Sequence, residues 1–277
     1  TAMDAPTTNS FEVSEPILNA PFAEPTRYWY IREGEEPEIH DGRRPALVFP
    51  PRDQKTAWGE RPGIIRKSAL YPAGFELELV NELRTRVVAW RAAGYAGVSR
   101  TTLDLLKYWS RPDRERKLFF AQLEAVETVI FLREARADFR QGIAIPRDEP
   151  SETQRAEGYA GFERLACKMA TGSGKTTVMA MLAAWSILNK VNGRADATFS
   201  DVVLIVCPNI TIRDRLRELA PNGGEASLYR TRDLVPPHYM DQLRQGRVLV
   251  TNWHVFNPQT PQVGGTVVAI GADDTDH

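Results

Sequence analysis

Two hydrophobic rhythms run along the chain. From Phe75 apolar residues return every three or four positions: FELELVNELRTRVVAWRAAG puts Leu79, Val80, Leu83, Val87 and Trp90 on one face and predicts a helix that stops at Gly94. A second helix is expected from near Ser99 through SRTTLDLLKYW. A third is expected from around Pro112 through RERKLFFAQLEAVETVIFLREA, with Leu123, Val126 and Ile130 facing a core. Beyond Gly161 short runs alternate in character. ERLACKM reads as a short buried strand, KTTVMAMLAAWSILNK as a helix, DVVLIV as a strand and ITIRDRLREL as a helix; the proline-led VPPHYMDQLRQG then precedes a further strand, RVLVTNW. Strand and helix in alternation imply an α/β fold with a parallel sheet and helices on both faces.

Ahead of the first helix the chain is rich in proline. EPTRYWYI and RRPALVFPP are its best strand candidates, bounded by turn signals at Glu33-Gly34 and Asp41-Gly42. The stretch 140–158 is polar and mostly aperiodic, as expected of a surface loop. These textures divide the chain into an amino-terminal β/α module over 1–110 and an α/β region over 111–277.

Between the ERLACKM run and the long helix stands MATGSGKTT, residues 169–177. Gly172 and Gly174 allow backbone conformations that a Cβ would obstruct, so that successive amides can point at phosphate oxygens, and the following helix adds its positive end. Lys175 supplies the counter-charge for the β- and γ-phosphates, and the Thr176 hydroxyl is placed to meet Mg²⁺. Thr171, Ser173 and Thr177 complete the expected cradle, so ATP and Mg²⁺ are the expected cofactors. A glycine turn capping an ordinary helix accounts for two glycines but not for Gly-Lys-Thr at that junction. The strict motif has glycine where Met169 stands.

Composition narrows the partners. With 35 basic and 36 acidic residues the net charge is −1, so no global field attracts nucleic acid and any such binding has to be local. Clusters at Arg84, Arg86 and Arg91, at Arg111, Arg114, Arg116 and Lys117, and at Arg213, Arg215 and Arg217 have helical spacing and read as solvated helix faces. Cys167 and Cys207 each lie in an apolar stretch and are expected as buried, reduced thiols. The histidines His40, His238, His254 and His277 lack ligand spacing, so no structural metal is expected. No apolar run approaches the ~18 residues of a membrane span and no secretory leader is visible, so a cytoplasmic protein is expected.

ATGSGKT preceded by a non-glycine residue resembles motif I of superfamily 2 helicases. Together with VVLIVCPNITIRDRL, VLVTNWHVF and the upstream EPTRYWY, GRRP and RERKLFFAQLEAVETVIFL, the chain resembles the Res subunit of type III restriction enzymes. The resemblance is strongest from about Arg114 to Phe256. It implies that 111–277 is an incomplete first RecA-like lobe and that the whole protein is an ATP-dependent DNA translocase and restriction endonuclease subunit, working on DNA with a methyltransferase subunit as a possible partner. It also implies that Gln122 recognises adenine, with Phe119 or Phe120 either stacking on the base or filling the core. Pro208, Asn209 and Thr211 match the motif Ia position, and Thr251 and Asn252 a later motif; both sets follow strand ends and could hold a nucleic-acid backbone. Asn209 and Thr211 could equally cap a helix.

No DEAH-type acidic motif is found. Asp273 and Asp274 after TVVAIG are the nearest acids, but they lack the glutamate that would activate water. The chain is therefore expected to be an amino-terminal portion that binds nucleotide without DNA-stimulated turnover of its own. The alternative from a different class is a P-loop regulatory or adaptor protein without motor activity.

Overall fold

The computed structural model describes residues 15–32, 35–49, 65–67, 74–145, 147–208 and 210–256. Strands β1 (Arg27–Tyr30) and β2 (Glu38–Asp41) form an antiparallel hairpin with Arg27 opposite Asp41. Strands β3 (Leu47–Val48) and β4 (Ile65–Lys67) both pair antiparallel with β5 (Phe75–Leu77). Both expected strands of this region are present. The Glu33-Gly34 turn lies outside the described residues, while Gly42 takes φ +93° and closes a turn on the Thr26 carbonyl.

The first long helix, α1 (Glu78–Ala92), is shorter than its periodicity suggests, because Phe75, Glu76 and Leu77 join the ladder between β3 and β4. It stops as expected: Gly94 adopts φ +73°, which glycine reaches without a Cβ penalty. Helix α2 (Arg100–Ser110) is capped by Ser99, whose side chain accepts from the Thr102 amide. Helix α3 runs Phe120–Glu134, several residues later than the pattern from Pro112 predicts. The cause is Arg114, only 4% exposed, which donates to the Arg116 and Arg232 carbonyls at 3.1 and 2.9 Å; a helix through 112–119 would take up the Arg116 carbonyl and redirect that side chain. The polar stretch 140–158 is partly ordered as β6 (Arg147–Asp148), which pairs with β7 (Phe162–Glu163) across one turn of helix.

Helix α4 (Lys175–Asn192) is the centre of the molecule. Strands β8 (Val202–Cys207) and β9 (Arg247–Asn252) lie parallel in register, from Val202 opposite Arg247 to Cys207 opposite Asn252. The expected parallel pairing is therefore present, with the short helix α5 (Ile210–Arg215) following β8. One continuous core extends from Leu83 to Leu243, and Trp90, Trp109, Phe131, Met181, Ile187 and Leu188 are fully buried within it. The Trp90 ring meets Tyr95 and Phe131 edge-on at 4.9 and 5.5 Å. A polar network crosses this core: the Glu134 carboxylate accepts from the Ser99 amide (2.8 Å), the Thr102 hydroxyl (2.7 Å) and the Trp185 indole (2.6 Å), fastening α2, α3 and α4 together.

The strand pair is packed on one side. Val203, Ile205, Val248 and Val250 face the core, whereas Val202, Leu204, Val206 and Leu249 are exposed, so cover among the described residues falls short of helices on both faces. The segment 164–169 joins no ladder among the described residues, and Cys167 is exposed, contrary to the buried strand and buried thiol expected there. Strand character needs a neighbour to pair with, and apolar composition alone does not supply one. Cys207 is buried as expected, its thiol against the Thr251 carbonyl and the Asn252 side chain.

Candidate functional site

The glycine loop is carried on the amino-terminal end of α4. Gly172 and Gly174 both take φ +81°, and Gly174 is the residue immediately before the helix. They need glycine for different reasons. A Cβ on Gly172 would meet nothing within 4 Å, so only its left-handed backbone matters; a Cβ on Gly174 would fall 2.0 Å from Gln122 Nε2. Around this turn the N–H groups of Gly172, Gly174, Lys175 and Thr176 have no acceptor among the described residues. Four such amides, at the positive end of an 18-residue helix, make a ready anion cradle.

Lys175 is exposed and its ammonium donates to the Met169 and Ala170 carbonyls, both at 3.0 Å. The Ser173 hydroxyl also donates to the Ala170 carbonyl, at 2.7 Å. Lysine and serine thus fold back onto the loop, held by three hydrogen bonds that the Met169 and Ala170 carbonyls accept. Met169, the departure from the strict motif, packs its side chain against the core and offers its carbonyl to Lys175. A glycine would provide the carbonyl without the packing. Thr171 is exposed at the rim, Thr176 is half-buried, and Thr177 is buried against the loop.

Gln122 is buried at 6% exposure beneath this loop. Its Oε1 accepts from the Phe119 amide at 2.9 Å and its Nε2 donates to the Ser173 carbonyl at 3.1 Å, so one side chain joins the start of α3 to the phosphate loop. One N–H and one lone pair remain for another partner. The ring of Phe119 lies 5.5 Å from that of Phe22, and Phe120 sits under the Arg43 guanidinium. No spacing rule linked Gln122 to Ser173, because the two are 51 residues apart.

The carboxyl ends of β8 and β9 adjoin each other, which brings Pro208 beside Thr251 and Asn252. Asn209 lies outside the described residues. Thr211 is in α5, with its side chain likewise outside the description. These strand ends lie toward the phosphate loop. Helix α4 runs back along the pair: its Ser186 meets the Ser200 carbonyl at 2.8 Å just before β8, and Ile187 crowds Gly246 just before β9, so its amino end points to the strands' carboxyl ends. Asp273 and Asp274 lie outside the described residues.

Most of the arginine clusters are engaged internally. Arg91 and Tyr95 both donate to Glu127, Arg86 pairs with Glu82, Arg111 with Asp233, and Arg116 with the Thr231 carbonyl. Burial pushes the Tyr95 hydroxyl far above its ordinary pKa, with the Glu127 carboxylate acting in the same direction. These clusters are therefore fold contacts more than solvated faces. No group of three or more potential metal-binding side chains occurs among the described residues, and no helix there is long and apolar enough to cross a membrane.

A family model described as type III restriction enzyme, res subunit, matches residues 115–260, more than half of the 277-residue chain. No curated protein and no solved structure matches it. The match takes in Gln122, the phosphate loop, α4 and both parallel strands. The chain belongs to the type III restriction enzyme Res subunit family and carries that family's helicase-like ATP-binding domain, of RecA-like P-loop fold.

Proposed function

We propose that residues 171–177 bind ATP with Mg²⁺ and that the protein acts in an ATP-dependent DNA translocase subunit of a type III restriction-modification system. The observation that carries this reading is the set of four amides, on Gly172, Gly174, Lys175 and Thr176, that have no acceptor among the described residues, with Lys175 at their edge. In this reading the Lys175 ammonium leaves the Met169 and Ala170 carbonyls for the β- and γ-phosphates, exchanging neutral acceptors for charged ones. Thr176 offers its hydroxyl to the metal. A Mg²⁺ ion held there would supply charge neutralisation at the phosphates. Gln122 selects adenine with its remaining donor and acceptor while holding Ser173 in place. Pro208, Asn209, Thr211, Thr251 and Asn252 contact the DNA backbone. The division at residue 110, the cytoplasmic location, the methyltransferase partner and the nuclease of the whole protein belong to the same proposal.

Calorimetric titration with ATP tests it. Lys175→Ala removes a charge-assisted contact worth ~1.5 to 3 kcal/mol and is expected to weaken ATP at least tenfold with the fold intact; equal affinity in both proteins would refute the assignment. The same titration with duplex DNA present separates motor from adaptor. A motor couples the two ligands, so DNA shifts ATP affinity, whereas an adaptor without DNA contacts shows none of that linkage.

A further inference from the structure

A cleft of about 600 Å³ lies between the β1 hairpin, the start of β3, α1 and the segment 164–169. Arg27, Arg43, Arg44, Arg84 and Lys168 line it, with Trp29 in its wall, and no carboxylate lines it among the described residues. In a chain of net charge −1, five cations facing one opening are a local concentration of positive charge.

The five are not equivalent. Arg43 is held by Glu124, with Glu24 at 3.7 Å, and Arg84 lies 3.9 Å from Glu124. Arg27, Arg44 and Lys168 make no side-chain hydrogen bond or ion pair among the described residues, and all three are exposed. The inner pair is thus fixed by acids while the outer three have no acid partner among the described residues. Burial, followed by the neighbouring Arg43 charge, lowers the Arg84 pKa, the expected response to crowded cations. An unneutralised group of this kind persists at a cost in repulsion, which an anionic ligand relieves.

We infer that this cleft is a second nucleic-acid contact, in which Arg27, Arg44 and Lys168 hold successive backbone phosphates of a DNA strand. It rests on the DNA-directed reading of the protein but adds a site apart from the strand ends of β8 and β9. The cations come from a strand, a loop, a helix and the segment leading into the phosphate loop. Three cations without an acid partner among the described residues exceed the charge of one backbone phosphate, which favours a chain of phosphates over a single one. Lys168 also adjoins Met169, whose carbonyl holds Lys175, so a strand seated here touches the chain that enters the ATP loop.

Fluorescence anisotropy with labelled single-stranded and duplex oligonucleotides, across a KCl series, tests this on the full chain. Each phosphate contact contributes about 0.7 to 0.9 to the slope of log affinity against log salt, so Arg27→Gln with Arg44→Gln should reduce the slope by roughly 1.4 to 1.8 and weaken binding about tenfold at low salt. Circular dichroism confirms that the variant is folded. An unchanged slope overturns the inference, as does an affinity that falls only with Thr251→Ala and Asn252→Ala. Binding of inorganic tripolyphosphate, sensitive to the double substitution but unaccompanied by oligonucleotide binding, also overturns it in favour of a small polyphosphate ligand. Titration of the unaltered chain with ATP reads the phosphate loop separately, so failure of the cleft and failure of the ATP reading are distinguishable.

Discussion

The helical layer and the parallel strand pair bracket the candidate site from opposite sides, and they are built to different standards. Helices α1 to α4 pack around Trp90, Trp109 and Phe131, and Glu134 cross-ties α2, α3 and α4, so the helix that carries the phosphate loop is anchored in a buried, hydrogen-bonded core. Strands β8 and β9 have one packed face and one that shows Val202, Leu204, Val206 and Leu249 to solvent. The lesson is a division of labour. A phosphate cradle depends on amide positions held to fractions of an ångström, which dense packing secures, while residues proposed to grip a moving backbone sit on the more lightly covered element.

Three tests break or sharpen that contrast. The largest effect is expected from Trp90→Ala, which empties a fully buried site and should destabilise the protein by ~3 to 5 kcal/mol in urea denaturation. A loss below about 1 kcal/mol would mean that the helical layer is not the rigid half. Next is Gln122→Ala, at the joint between that layer and the loop. It strands the Ser173 carbonyl and the Phe119 amide and should cost roughly 2 kcal/mol, and it should narrow the preference for ATP over GTP about tenfold. Lost stability with unaltered base preference in a competition assay would leave Gln122 as a brace alone. The smallest and most discriminating test compares neighbours on β8. Val203→Thr places a hydroxyl against the core and should cost about 1 to 2 kcal/mol, whereas Val202→Thr on the open face should stay within ~0.5 kcal/mol. Equal costs for the two would show that the outer face is covered in solution.

What the sequence determined by itself was local. The three- and four-residue rhythm of α1 and α4, the serine cap of α2, the stop at Gly94 and the glycine-lysine-threonine turn at the head of α4 all depend on residues within a few positions of one another, and so do the apolar runs that mark β8 and β9 each as a strand. Tertiary structure decided whatever required a distant partner. Helix α3 starts at Phe120 because Arg114 reaches the Arg232 carbonyl; 164–169 is no strand because no ladder forms beside it; Gln122 lies under the loop because Ser173 arrives there from 51 residues away. The charges follow the same rule. Arg91 and Arg111 look as free in the sequence as Arg27 and Arg44, and only folding brings Glu127 and Asp233 to the first pair and leaves the second facing a cleft that no acid lines among the described residues. Periodicity reports which side of an element is apolar, but a hydrogen bond or ion pair is a property of two places in space, and their meeting is fixed only when the core closes.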